Sequence, residues 1–162
     1  MQELFYNLPW IKMVLQLLLA LILGGVLGLG RSYLGKSAGT RTFALISFGS
    51  CLFTILSLNA FTKFTYGASS FDPSRIASQI VAGIGFISMA VVIHRGSDIQ
   101  GITTAVSIWV SAAIGMAVGV KFYALALSAT LIALLVLEVL RVINIDERLE
   151  NLRIKRQKHH DK

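Results

Sequence analysis

Residues 102–140 carry only two charges, Lys121 and Glu138. As one helix this run would be roughly 60 Å long, about twice the ~30 Å hydrocarbon thickness of a bilayer. It must therefore turn back on itself. The turn belongs at Gly119-Val120-Lys121, where a glycine coincides with the lone cation, and the run then reads as two membrane spans, residues 102–120 and 122–143.

Composition agrees with that reading. The chain is 55% hydrophobic and only 14% charged, with a mean hydropathy of +0.72, whereas a soluble domain carries about a quarter charged residues. The formal charge of +7 is concentrated after Leu140. That is a topogenic or membrane-surface pattern; no soluble basic face exists to hold a duplex, which excludes nucleic acid as a partner. The lone Cys51 lies in an apolar run, where it reads as a small buried residue. No CxxC, HExxH or phosphate-loop pattern occurs, so no cofactor or metal is expected. No Ser/His, Asp/Asp or metal-ligand constellation falls at membrane depth, so no enzyme is expected either.

Three further spans precede the long run. Residues 1–10 lack a basic cluster and a convincing cleavage site, so the first span is expected to be a retained anchor. That span, residues 13–30, places Ala20, Gly24 and Gly28 every fourth position, a face on which another backbone can come close. A polar turn, residues 31–41, carries Arg31, Lys36 and Arg41. Span two is residues 42–61 and span three residues 76–93. The fold class is thus all-α, a membrane helix bundle of five spans over residues 1–143, followed by a tail, 144–162, read as a basic amphipathic helix. With five spans, eleven cations fall on one side (Arg31, Lys36, Arg41, Arg95, Arg141 and six in the tail) and four on the other (Lys12, Lys63, Arg75, Lys121). The side with eleven is cytoplasmic, which puts the amino terminus outside. Tyr6, Trp10, Phe61, Phe64, Tyr66, Phe71, Phe122 and Tyr123 then gather at the outer interface, while Trp109, near mid-span, reads as a packing residue.

Residues 72–109 look built for contact. Asp72-Pro73-Ser74-Arg75 is a helix start, a capping carboxylate before proline, with Arg75 close enough to pair with Asp72. Ala77, Ser78, Ala82, Gly83 and Gly85 leave one side of span three with little bulk, and Gln79 is a hydrogen-bonding group expected to face another helix. A short loop with His94, Arg95 and Asp98 leads to Gly101. Beyond it Thr103 and Thr104 open span four, where Ser107, Ser111, Gly115 and Gly119 recur every fourth position. The small-residue faces of spans one and four suggest a homodimer or close packing within the chain. Arg31, Lys36 and Arg41 are topogenic charge or a site for lipid phosphates or an acidic partner. Glu138, three residues before Arg141, is expected to snorkel or pair at the surface.

Three segments resemble one family in order and spacing. Gly35-Lys36-Ser37-Ala38-Gly39-Thr40-Arg41-Thr42 is similar to a G-K-x-A-G-x-R-T segment. The stretch from Arg75 through Gln79, Gly83 and Gly85 to Phe86 resembles R-I-A-x-Q-V-V-x-G-I-G-F. Gly101-Ile102-Thr103-Thr104-Ala105 with Trp109, Ala112, Ala113, Ile114 and Gly115 resembles G-L-T-T-A-x-x-x-W-x-x-A-A-I-G. The family is the MgtC/SapB membrane proteins, and the resemblance covers roughly residues 15–143. It implies a bacterial inner-membrane protein linked to growth at low magnesium, to intracellular survival of pathogens and to restraint of the proton-translocating ATP synthase. Two positions depart from the pattern. Where the family shows Gly-x-Glu-Arg, this chain reads Gly28-Leu29-Gly30-Arg31, and after Phe86 it has Ile87-Ser88-Met89-Ala90 in place of two further glycines. The expected function is regulation through docking on another membrane complex, the ATP synthase among the possibilities; the alternative is transport of an inorganic ion or small solute.

Overall fold

The computed structural model describes residues 9–59, 72, 74–95 and 98–142. The described residues form five helices: α1 (Pro9–Tyr33), α2 (Thr40–Asn59), α3 (Ser74–Met89), α4 (Ile102–Gly119) and α5 (Tyr123–Val142). Their ends lie within a few residues of the expected spans. Helices α1, α2 and α4 are long and apolar enough to cross a membrane, while α3 and the apolar part of α5 are shorter. The 16 residues of α3 measure about 24 Å at 1.5 Å per residue, somewhat less than a bilayer core.

The loop between α3 and α4 holds more structure than expected. Ile93–Arg95 (β1) and Asp98–Gln100 (β2) pair as an antiparallel ribbon, with Ile93 opposite Gln100 and Arg95 opposite Asp98. Gly101 then caps α4 in a left-handed conformation, φ 94°. A side chain there would run into the Val91 carbonyl, so both backbone angle and space demand glycine. At the other end of α4 the chain turns as expected at Gly119-Val120-Lys121. Lys121 adopts φ 66°, and its N–H and that of Phe122 return to the carbonyls of Val118 and Ala117, closing the helix end before α5 begins.

The core is a three-helix unit of α1, α2 and α4, with α3 against α4 and α5 against α4 and α1. Its buried apolar residues include Leu23, Leu27, Phe43, Cys51, Ile108, Ile114 and Val118. The close approach expected of the small-residue faces occurs, and it is spent within the chain. A Cβ on Gly24 would lie 2.5 Å from the Phe43 carbonyl oxygen, and one on Gly28 would lie 2.6 Å from Thr40 Cα. A Cβ on Gly115 would lie 2.7 Å from the Ser47 carbonyl carbon, and one on Gly119 would lie 2.7 Å from Thr54 Cβ. Backbones of α1 and α4 thus both press on α2, so these faces are not available to a second copy.

Helix α3 behaves oppositely. It enters the bundle through Ile80, Ile84 and Ser88, and a Cβ on Gly83 or Gly85 would meet nothing within 4 Å. Ala82 and Gln79 are exposed as well. Gln79, expected to face another helix, is thus not packed inside this chain's own bundle. Three bulky branched or hydroxylated positions one turn apart outcompete the small side for the interior, because packing in lipid follows shape rather than hydropathy. The carboxy-terminal tail and the aromatics at 6, 61, 64, 66 and 71 lie outside the described residues.

Candidate functional site

The end of the bundle where α1 hands over to α2 collects most of the chain's unusual chemistry. Gly35, at φ 63°, turns the chain, and Ser32 latches the turn. Its Oγ accepts the Thr40 N–H at 2.7 Å and shares a 2.9 Å hydroxyl–hydroxyl bond with Thr40. The Phe43 N–H closes the first turn of α2 on the Gly39 carbonyl at 3.1 Å. With Gly24 and Gly28 admitting the α2 backbone, Phe43 is driven wholly inside.

Arg31 goes inside with it. Read from sequence as part of a polar turn, it is only 8% exposed. Its Nη2 donates to Thr104 Oγ1 on α4, and its guanidinium lies over the Phe43 ring, 5.6 Å from the centroid. Nε has no partner among the described residues. A buried arginine is costly at membrane depth and marks a functional position by default. Here α1, α2 and α4 each contribute to holding it: the residue itself, the ring and the hydroxyl.

A carboxylate comes to the same place from α5. Glu138 Oε1 rests against the bare backbone of Gly30, in the space a Cβ would fill. The side chain, half-buried, reaches across to α1. The carboxylate absent from position 30 of the sequence is thus present in space beside Gly30, one residue from Arg31, supplied by another helix.

Above this end runs a column of buried polar groups. Ser111 Oγ donates to the Phe43 carbonyl at 2.9 Å, Ser107 Oγ to the Thr103 carbonyl at 2.6 Å, and Thr54 Oγ1 to the Ser50 carbonyl at 2.7 Å. Near the opposite end Gln16 Nε2 donates to the Val118 carbonyl at 2.9 Å. Ser47 and Ser50 are buried with hydroxyls that have no partner among the described residues.

The remaining expected residues scatter around this core. Lys36, Gly39, Arg41 and Thr42, with Ser32 and Thr40, line a recess of about 470 Å³ outside the α1–α2 turn. Thr103 is exposed, unlike Thr104. Asp72 caps α3: its Oδ1 accepts the Ser74 N–H at 2.9 Å and the Ser74 hydroxyl at 2.6 Å. Those two bonds, and more weakly the charge of Arg75, hold the Asp72 carboxyl below its ordinary value. Trp109, expected to pack, is 47% exposed. It flanks an apolar groove of about 180 Å³ between α3 and α4 with Val81, Ala112, Ala113 and Met116. Gln16, Phe43, Ser47 and Ser111 escaped the sequence reading as site residues. The available signal was a polar residue inside a span, weighed for Gln79 but passed over for Gln16.

The family model for the MgtC family matches residues 17–145. This chain belongs to the MgtC family. Among its relatives, the putative magnesium transporter YhiD of Escherichia coli (strain K12) is 44% identical over 129 residues, covering 79% of this chain and 60% of that protein. Protein SapB of Bacillus subtilis (strain 168) is 38% identical over 129 residues, 78% of this chain and 56% of the relative. Protein MgtC of Salmonella typhimurium (strain LT2) is 37% identical over 134 residues, 83% and 53% respectively. The chain therefore spans between 53% and 60% of the length of these MgtC-family proteins. No solved structure matches it. Family membership and three apolar helices of spanning length make this MgtC-family chain a membrane protein.

Proposed function

We propose that the chain is a multi-pass regulatory protein of the bacterial inner membrane that works by docking on another membrane complex, not by conducting solute. The supporting observation is how its small residues are divided. The glycine faces of α1 and α4 are consumed in sealing the three-helix core. The outer side of α3 keeps Gln79, Gly83 and Gly85 facing away from it. An amide and two bare backbone positions on a lipid-facing helix suit a foreign helix better than they suit acyl chains. The family resemblance points to low magnesium or intracellular stress as the setting, and to a complex such as the proton-translocating ATP synthase as the partner. The buried Arg31 cluster then acts as the rigid joint that holds α1, α2 and α4 in register while α3 presents the docking face.

The test is capture of tagged protein from native membranes after crosslinking. A membrane complex recovered with the wild type, and lost with Gly83→Leu, is the expected result. Recovery of lipid and self alone would sink the docking reading. A transporter reading is favoured by the buried hydroxyls of Ser47 and Ser50, which have no partner among the described residues, and by the name of the Escherichia coli relative. Magnesium or proton flux into liposomes above empty controls would put that reading first.

A further inference from the structure

The recess outside the α1–α2 turn is used neither by the buried arginine nor by the α3 face. It is lined by two cations, Lys36 and Arg41, by the hydroxyl residues Ser32, Thr40 and Thr42, and by Gly39, within about 470 Å³. Its donors exceed what the protein itself consumes. Ser32 and Thr40 share one hydrogen bond; whichever donates, one of the two hydroxyl hydrogens remains for a third acceptor. Thr42 and Arg41 are exposed beside them. Gly39 keeps the floor of the recess low, since a Cβ there would run into Ser32. Among the described residues no carboxylate lines the recess, and its two charged lining residues are both cations.

Two cations of different shape beside several hydroxyls, with no acid among them, suit a compact anion with many acceptor oxygens. A carboxylate offers two oxygens in one plane; a phosphate offers three or four in a tetrahedron and can meet donors arriving from α1, the turn and α2 together. We propose that this recess is a phosphate-binding site. The phosphate belongs either to an anionic lipid headgroup or to a soluble phosphate. Tyr33 and Leu34, which follow Ser32 in the chain, are exposed, as suits the level where headgroups meet acyl chains.

The experiment uses the full chain in nanodiscs or detergent. Native mass spectrometry counts retained phosphatidylglycerol against phosphatidylcholine, and a second arm titrates inorganic phosphate against the phosphatidylglycerol-bound protein. Expected is selective retention of phosphatidylglycerol, about tenfold or more weaker in Lys36→Ala/Arg41→Ala and weakened by salt. Arg75→Ala, a cation at the opposite end, should leave it unchanged. Displacement by inorganic phosphate at millimolar concentration assigns the site to soluble phosphates, and resistance to displacement assigns it to lipid. Equal retention by wild type and the double variant, with no phosphate effect, overturns the proposal. Because both substitutions are on exposed side chains, helical content by circular dichroism should hold. Should it not, Thr42→Val with Lys36→Gln provides the same comparison without removing the α2 first-turn arginine.

Discussion

At the residue scale the fold depends on a few positions whose environments differ sharply from those of their neighbours. Thr104 is buried and accepts from Arg31, while adjacent Thr103 is exposed. Thr104→Val keeps the shape but leaves a buried guanidinium with one fewer acceptor, which should cost about 1–3 kcal/mol. Thermal unfolding in detergent, followed by tryptophan fluorescence, measures it; Thr103→Val should leave the midpoint in place. Glycines separate in the same way. Gly115→Leu must push α4 off the Ser47 backbone and should abolish folded, monodisperse protein. Gly83→Leu projects into open space and should be tolerated for folding. If size-exclusion profiles of the two variants coincide, the assignment of α4 as buried and α3 as open is wrong. None of these contrasts is visible in the sequence, where both glycines sit in small-residue stretches and both threonines open the same helix.

At the element scale, most helix ends were legible and helix faces were not. The start of α3 follows from Asp72, because capping is local chemistry; its stop does not, since the apolar run continues through Ala90-Val91-Val92-Ile93 while the helix ends at Met89. The Asp72 carboxyl is held below its ordinary value by the Ser74 bonds. Its capping contribution is thus fully present above the ordinary carboxylate range and is lost as pH falls through its lowered folded value. Amide exchange across residues 76–80, corrected for intrinsic rates, should show protection falling in that acidic window in the wild type. In Asp72→Ala protection should be lower and flat with pH; parallel profiles would remove Asp72 as the cause. Which side of α3 faces inward was not legible, since Ile80, Ile84 and Gly83 are all apolar and lipid accepts each of them. The β1–β2 ribbon was equally hidden: strands of three residues carry no periodicity and depend on where α3 and α4 place their ends.

At the scale of the whole molecule, the arrangement of five helices places Arg31, Thr104 and Glu138 at one end and Gln16 with Val118 toward the other. The cation bias of the sequence predicts that the segment around Gly67 and the carboxy terminus lie on opposite sides of the membrane. Reporter fusions at Gly67 and after Lys162 should give opposite activities; like activities would mean four spans. The helix count was legible because bilayer thickness sets an absolute length against which apolar runs are measured; three of the five helices are long and apolar enough to span. The Arg31 cluster was only half legible. Its arginine was singled out, but as a surface charge, because the residues that bury it come from α2 and α4, 12 and 73 positions away.

The sequence by itself determined the membrane class, the number of helices, most of their ends and the family, since each rests on local length, capping or motif order. The tertiary structure alone decided which small faces were consumed, that Arg31 is buried, and that Glu138 of α5 occupies the space beside Gly30. The physical reason is that lipid does not sort apolar side chains by size. Inside and outside in such a bundle are settled only when backbones meet closely enough for a single Cβ to matter.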